Sequence, residues 1–127
     1  METSTLTGGT ALVEGETVVA ECRLSLAVTH TERLLPAVDH VLRAAGLGLA
    51  DVDALAVSVG PGSFTGLRIG LSTMKGLAFA TGKPLCGIPT LDALAWCLPF
   101  ADSPVCPVLD AKRGEVYSAL YRTAAGR

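Results

Sequence analysis

Hydrophobic and polar positions along the chain first follow a strand-like pattern and then a helical one. Residues 10–13 and 17–23 are rich in threonine, valine and alanine and flank Glu14-Gly15-Glu16, a pattern typical of a β-hairpin. From Thr31 to Ala45 apolar residues recur every three or four positions, which predicts an amphipathic helix. Gly46 follows this segment and is a suitable helix stop.

The rest of the chain alternates between further strands and helices. The apolar run at 54–59 predicts a strand that is buried on both faces. Gly60-Pro61-Gly62 ends this strand, and a helix is predicted from about Ser63 to Ala80. The remaining pattern predicts strands at 84–88, 105–110 and 115–122, a turn at 112–114, and a helix capped by Thr90 that runs to about residue 98. The order β-β-α-β-α-β-α-β-β predicts an α/β layered fold.

Both ends of this pattern are expected to be incomplete. The turn at 2–9 has no strand before it to pair with, and the last hairpin starts a new sheet. A lone hairpin is marginally stable in water, so 104–127 is expected to be the first hairpin of a second domain, after a first domain at 1–103. If Met1 is an artefact of gene calling or cleavage, about five or six apolar residues, many of them β-branched, are expected to be encoded just before Glu2, as the missing first strand.

Composition and charge narrow the class of protein. Half of the 127 residues are hydrophobic and 17% are charged, which predicts one globular domain of ordinary size. No apolar run approaches the roughly 18 residues of a membrane helix, and no signal peptide is apparent, so a cytoplasmic protein with no membrane contact is expected. The net charge of −2 argues against direct nucleic-acid binding. The four cysteines form no C-x-x-C pair and are expected to be buried, reduced thiols.

The glycine-rich segment from Gly60 to Gly70 matches none of the common phosphate-binding or catalytic patterns. A Walker A loop requires lysine after its last glycine, where Leu67 follows Gly66, and a dinucleotide loop requires glycine where Thr65 stands. A nucleophile elbow around Ser63 would also need glycines on both sides at fixed spacing. A tight turn followed by a helix N-cap at Ser63 or Thr65 is therefore favoured over phosphate binding.

No catalytic or metal-binding set emerges from the remaining residues. The two histidines, His30 and His40, are ten positions apart, whereas helical metal ligands stand at i and i+4. Both are predicted to lie on the surface. Neither is linked by sequence to Ser63, so a hydrolase triad is not expected.

The helix after the glycine-rich turn is apolar around most of its circumference, and its charges, Arg68 and Lys75, form one narrow stripe with Ser72. A helix that packs on one sheet buries only one face, so a second buried surface is expected. Either a partner protein or another element of the same chain could supply that surface, and the pattern favours neither. If a partner supplies it, the predicted interface consists of Gly66, Leu67, Gly70, Leu71, Thr73, Met74 and Leu77, and Gly70→Glu is expected to split the assembly without unfolding the chain.

The segment Gly60-Pro-Gly-Ser-Phe-Thr-Gly-Leu-Arg-Ile-Gly70 resembles the signature of the TsaB proteins, also called YeaZ. Supporting matches lie at residues 2–5, 30–36, 87–93 and 110–117. The resemblance runs through essentially the whole chain and covers about the first half of a typical family member. It implies an actin-like, Hsp70-like fold of two related α/β domains with mixed sheets. Glu2 stands where the family more often has Asp.

The resemblance also implies a role. TsaB proteins work beside a paralogue, TsaD, that transfers a threonylcarbamoyl group to adenosine 37 of tRNA, and TsaD binds a metal through two histidines on its third helix. Those positions align with Thr90 and Leu94 here, and leucine has no donor atom. The resemblance therefore implies a scaffold subunit with no catalytic residue, cofactor or metal.

The expected partners, on the same ground, are a TsaD-like paralogue, a TsaE-like ATPase within the complex, a second copy of the chain when it is alone, and tRNA only through the complex. The alternatives are a glycoprotease-like peptidase and an actin-fold, nucleotide-binding kinase. In this fold class nucleotide phosphates are held between two hairpins, one from each domain, so half a molecule is not expected to form a complete site.

Overall fold

The computed structural model describes residues 1–25 and 31–122. Its elements are the strands β1 (Thr7–Glu14), β2 (Thr17–Ser25), β3 (Leu55–Gly60), β4 (Leu85–Pro89), β5 (Val108–Lys112) and β6 (Glu115–Ser118), and the helices α1 (Thr31–Ala44), α2 (Phe64–Thr81) and α3 (Thr90–Ala95). A short 3₁₀ turn at Leu49–Asp51 precedes β3. The alternation of strands and helices confirms the α/β class.

The first hairpin and α1 form one packed unit. β1 and β2 pair antiparallel around a turn in which Gly15 has a φ of 57°, a left-handed conformation that favours glycine. The apolar stripe of α1 contacts this hairpin and α2, and its buried members are Leu34, Ala37, Val41 and Leu42. Pro36 lies within α1 and does not end it, and Gly46 follows with a φ of 70°. The predicted helix stop is therefore confirmed.

The second unit is a parallel pair of strands joined by α2. β3 and β4 are adjacent and parallel, and Leu55 and Val57 of β3 pack with Met74 of α2 to form the core cluster. The predicted burial of β3 on both faces is wrong. Ala56, on the face opposite Leu55 and Val57, is exposed, because α2 covers one face of the pair and the short α3 covers little of the other. Near the end of β3, 46% of Val59 is exposed as well.

The described residues contain three two-stranded sheets, β1–β2, β3–β4 and β5–β6, where the resemblance implied one mixed sheet per domain. Met1 and Glu2 connect the first two sheets. The backbone of Glu2 exchanges two hydrogen bonds with Gly9 of β1, at 2.8 and 2.9 Å. Toward β3, the Met1 carbonyl accepts a hydrogen bond of 3.1 Å from the Ser58 amide.

Several predicted boundaries shift in the second half of the chain. Thr90 is the first residue of α3 and not its cap, since Pro89 occupies the cap position, and α3 ends at Ala95. β5 begins at Val108 and not at Val105, because Pro107 has no amide to donate to a ladder. β6 ends at Ser118, after which Tyr121 forms an isolated bridge with Val105.

The cysteines are free, as predicted, but they are not buried. Cys86, Cys97 and Cys106 are exposed and Cys22 is partly buried. Cys86 pairs with Ala56 in the β3–β4 register, so it lies on the face of that pair opposite α2. That face is largely uncovered, which explains why an apolar sequence context did not imply burial.

The β5–β6 hairpin is held to α3 by a polar contact. The Tyr121 hydroxyl donates a hydrogen bond of 2.6 Å to the Asp92 carboxylate of α3. The hydrogen bond, together with partial loss of water and the negative charge of Asp92, raises the pKa of Tyr121 above its ordinary value of 10.0. The domain boundary near residue 104 stays a prediction.

We expect Asp92→Asn to lower the pKa of Tyr121 toward its ordinary value, because the proton would no longer be held by a charged acceptor. The ultraviolet absorbance of the phenolate, followed against pH in wild type and variant and corrected with Tyr121→Phe, measures this shift. Asp102→Asn removes the same charge at an exposed position and should leave the titration unchanged. A Tyr121 pKa that is the same in wild type and Asp92→Asn would contradict the contact.

Candidate functional site

Glycines of the 60–70 segment allow the Thr3–Ser4 backbone to lie directly against the start of α2. A Cβ atom on Gly62 would overlap the Ser4 carbonyl, and one on Gly66 would overlap the Thr3 carbonyl. A Cβ atom on Gly70 would overlap the Thr3 hydroxyl. The glycines are therefore required by the close approach of another part of the chain.

Hydrogen bonds fix this contact at the N-terminus of α2. Ser63 is the N-cap, as predicted, and its hydroxyl accepts from the Gly66 amide at 3.2 Å. The Ser63 amide in turn donates to the Ser4 carbonyl at 2.6 Å. The Thr3 amide donates to the Ser58 hydroxyl at 3.3 Å, and the Ser4 amide donates to the Glu2 carboxylate. The turn, β3 and α2 are thereby joined.

A cleft of about 600 Å³ opens beside this contact. Its walls are residues 4–7, the N-terminus of α2 at 62–65, and the β5–β6 hairpin, which contributes Asp110 and Lys112 of β5. The Lys112 amide and ammonium both donate to the Asp110 carboxylate, at 2.7 and 3.2 Å, and they hold the pKa of Asp110 below its usual range. The positive charge of Lys112 is thus balanced by a neighbouring carboxylate at this cleft.

The side chains that could bind a metal are dispersed in the described part of the chain. It contains no set of three or more His, Cys, Asp or Glu side chains placed to hold a metal ion. His40 is exposed on α1, as predicted, and His30 lies outside the described residues. Thr90 is buried and its hydroxyl has no hydrogen-bond partner, and Leu94 is partly buried on α3.

The predicted interface residues lie mostly on the inner side of α2. Met74 is in the core, and Leu71 and Leu77 pack against it. Gly70 is buried against Thr3, and Gly66, Leu67 and Thr73 are partly buried. The expectation that Gly70→Glu leaves the fold intact is therefore wrong, because a side chain at that position has no space. For these residues another element of the same chain supplies the second surface.

The outward side of α2 carries a different set of residues. Phe79 is 94% exposed and Phe64 is 73% exposed, and Arg68 and Lys75 lie on the same stripe of the helix. The guanidinium carbon of Arg68 is 5.3 Å from the centre of the Phe64 ring, a cation–π contact. We call Phe64, Arg68, Lys75 and Phe79 the α2 stripe. Its two charges are apparent from the helical pattern alone. Phe64 precedes Arg68 by four residues and Phe79 follows Lys75 by four, and this spacing is the signal that places both rings on the same stripe.

Comparison with known proteins gives the relatives of this chain. A sequence model of the family described as TsaD, tRNA N6-adenosine threonylcarbamoyltransferase, matches residues 25–127. The tRNA threonylcarbamoyladenosine biosynthesis protein TsaB of Bacillus subtilis is 36% identical over 126 residues, which is 99% of this chain and 55% of that protein. TsaB of Escherichia coli is 44% identical over 96 residues, 73% of this chain and 41% of that protein. This chain belongs to the TsaB/YeaZ family.

Solved structures agree with the membership. The structure titled "YeaZ from Pseudomonas aeruginosa" superposes with a TM-score of 0.85 at 35% identity, over 95% of this chain and 57% of that one. A second structure from the same organism, titled as an uncharacterized protein with similarity to peptidase YEAZ, gives a TM-score of 0.86. The fold is thus the actin-like α/β fold of the family. The chain spans about half the length of the TsaB/YeaZ proteins it matches.

The glycine contacts of this TsaB/YeaZ chain predict opposite effects of one substitution at two places on α2. Gly66→Ala should lower the free energy of unfolding by about 1–3 kcal/mol, because the new methyl group overlaps the Thr3 carbonyl. Gly76→Ala should raise it by about 0.5–1 kcal/mol, because that glycine has open space and alanine favours helix. Urea denaturation followed by circular dichroism measures both. Equal effects of the two substitutions would show that the Thr3 contact is absent.

Proposed function

We propose that this chain acts as a non-catalytic scaffold in the tRNA N6-threonylcarbamoyladenosine modification pathway, where it binds a TsaD-like paralogue. Its relatives in Bacillus subtilis and Escherichia coli carry the name of this pathway. The observation that carries the proposal is the α2 stripe, which exposes two phenylalanine rings on one side of an 18-residue helix. Aromatic and arginine side chains are the residues most often responsible for the binding energy of protein interfaces.

The position of the α2 stripe suits a rigid docking surface. The inner side of α2 is fixed by the core and by the Thr3–Ser4 contact, so the outer side is presented with little freedom. Arg68 and Lys75 lie between the two aromatic rings along the helix, where positive charge steers an approaching acidic surface and raises the association rate. The proposed interface is therefore the α2 stripe, and not the inner residues of α2 that the sequence pattern indicates.

The same surface would serve assembly in both settings expected from the sequence. Alone, the chain pairs with a second copy through α2, and in the cell the TsaD-like paralogue replaces that copy. A TsaE-like ATPase and tRNA join through the complex and not through this chain directly, in keeping with its net charge of −2. A cytoplasmic site of action is part of the proposal. No helix within residues 1–25 and 31–122 has the length and apolar character to span a membrane.

The kinase alternative rests on one feature, the cleft between residues 4–7, the start of α2 and the β5–β6 hairpin. Neutralisation of Lys112 by Asp110 argues against tight phosphate binding there. Titration of the purified chain with ATP, with and without Mg²⁺, distinguishes the two functions. Saturable binding by the chain alone would favour the nucleotide-binding alternative.

Removal of an aromatic ring from the α2 stripe should weaken partner binding. We expect Phe79→Glu to reduce affinity for the TsaD-like paralogue at least about tenfold, because the charge replaces a ring buried on association. Phe100→Glu is the matched control, since Phe100 is 93% exposed and lies outside α2. Calorimetric titration measures affinity, and circular dichroism checks folding. Equal loss in both variants, or none in Phe79→Glu, would contradict the proposed surface.

Absence of a catalytic metal is the second expected outcome. Thr90 and Leu94 occupy the positions of the two metal-binding histidines of the paralogue, and their side chains offer no comparable ligands. Elemental analysis of protein purified without an affinity tag should give well under one zinc or iron ion per chain. One tightly bound ion per chain would overturn the non-catalytic assignment.

A further inference from the structure

The α2 stripe has the same order of residue classes in both directions along the helix. Its order is ring, cation, cation, ring, with spacings of four, seven and four residues, at Phe64, Arg68, Lys75 and Phe79. The midpoint of the two cations and the midpoint of the two rings both fall between Leu71 and Ser72. At a rise of about 1.5 Å per residue, the cations are about 10 Å apart along the helix and the rings about 22 Å apart.

A second copy of the chain matches the rings of the stripe but not its charges. In a two-fold symmetric dimer each copy presents the same surface to the other. If the two α2 helices pair antiparallel, Phe64 of one copy faces Phe79 of the other, and both rings are buried. Arg68 then faces Lys75 of the other copy, twice in each dimer. A parallel pair would place Arg68 against Arg68, so like charges meet in either arrangement.

The helices on this side of the chain supply no negative charge to offset these cations. Residues 64–81 include no Asp or Glu. The formal charges of the adjacent α1 cancel, since they are those of Glu32, Arg33, Asp39 and Arg43. Among the described residues, neither Arg68 nor Lys75 forms an ion pair, and Arg68 lies over the Phe64 ring. The carboxylates that would neutralise the stripe must therefore come from a different protein.

We propose that the α2 stripe binds an acidic protein surface in preference to a second copy of this chain. The preferred surface presents two carboxylates about 10 Å apart, such as acidic residues seven positions apart on a helix, between two apolar patches. Phe64 and Phe79 contribute contact area with either occupant, whereas Arg68 and Lys75 discriminate between them. The inference rests on the proposed function, in which the TsaD-like paralogue is the expected acidic occupant.

Charge reversal in the chain alone tests the discrimination against a second copy. Arg68→Glu and Lys75→Glu each place a carboxylate opposite the remaining cation of the other copy, so each should tighten self-association about three- to tenfold. The double variant again brings like charges together and should return to the wild-type value. Sedimentation equilibrium measures the dissociation constants, and circular dichroism checks folding. If neither single variant self-associates more tightly than the wild type, the proposal is wrong.

The same variants separate the effect of the stripe from that of the overall charge. Each single reversal replaces +1 by −1 and changes the formal net charge from −2 to −4, so general repulsion between copies predicts weaker self-association. Arg23→Glu makes the same change at an exposed position on β2 and is the matched control. It should not tighten self-association. Equal tightening by Arg23→Glu and Arg68→Glu would overturn the proposal.

Binding to the TsaD-like paralogue should respond in the opposite direction. Each single reversal should weaken it about three- to tenfold, and the double variant should weaken it further. Added salt should weaken binding of the paralogue and strengthen self-association of the wild type, because it screens an attraction in one case and a repulsion in the other. Equal affinity of the paralogue for the wild type and all three variants would contradict an acidic occupant.

Failure of the proposed function gives a different result. A paralogue that does not bind even the wild type would count against the scaffold role, and the self-association measurements would then decide the charge discrimination by themselves.

Nucleic acid is the rival occupant, since bases stack on aromatic rings and phosphates bind cations. Two cations are few beside the roughly six to ten phosphate contacts of proteins that bind DNA strongly. Titration of the wild type and Arg68→Glu with unfractionated tRNA, followed by fluorescence anisotropy, decides between the two. No saturable binding is expected. Saturable binding that Arg68→Glu abolishes would assign the stripe to nucleic acid and overturn the proposal.

Discussion

The contact between the Thr3–Ser4 backbone and the glycine face of α2 determines how the other elements are arranged. Thr3 and Ser4 are almost fully buried, and they touch α2 at positions where any side chain would overlap them. The same short segment bonds to β1 through Glu2 and to β3 through Met1 and Thr3. Loss of this contact would therefore separate the hairpin from the parallel unit, because Met1 and Glu2 are their backbone connection. The outward direction of the α2 stripe depends on it as well.

Much of the fold was predictable because local pattern and tertiary packing agree there. The period of α1 predicts its buried face and Gly46 predicts its end, and Ser63 is the predicted N-cap of α2. Predictions failed where burial depends on what lies on the far side of an element. Ala56 and Cys86 have apolar neighbours in sequence, yet the face of the strand pair on which they lie is open. The sequence pattern of apolar residues indicates which side chains can be buried, whereas the arrangement of helices and strands determines which of them are covered.

The candidate interface illustrates the same distinction. The small residues of α2 indicate a close approach, but sequence alone does not say whether the approaching element belongs to the same chain. Gly66 and Gly70 contact Thr3, which is far away in the sequence and carries no periodic signal. The exposed ring of Phe79 belongs to the apolar circumference of α2 in the sequence pattern, since a helical pattern does not separate a partner surface from a core surface. A helical-wheel projection that grouped Phe64 and Phe79 with Arg68 and Lys75 would have predicted the α2 stripe.

Thr3 and its contact partners lie far apart in the sequence, and this distance determines when their contact can form during synthesis. Thr3 and its partner Ser58 are 55 positions apart, and the residues of α2 that complete the contact come later still. At about 5–20 residues per second, the turn waits roughly 3–11 s or more on the ribosome before its partners exist. The β1–β2 hairpin and α1 are complete earlier in that interval. The Thr3–Ser4 segment therefore has no partner until Ser58 and the glycines of α2 have been synthesised, so this contact forms after the hairpin and α1 and not before them.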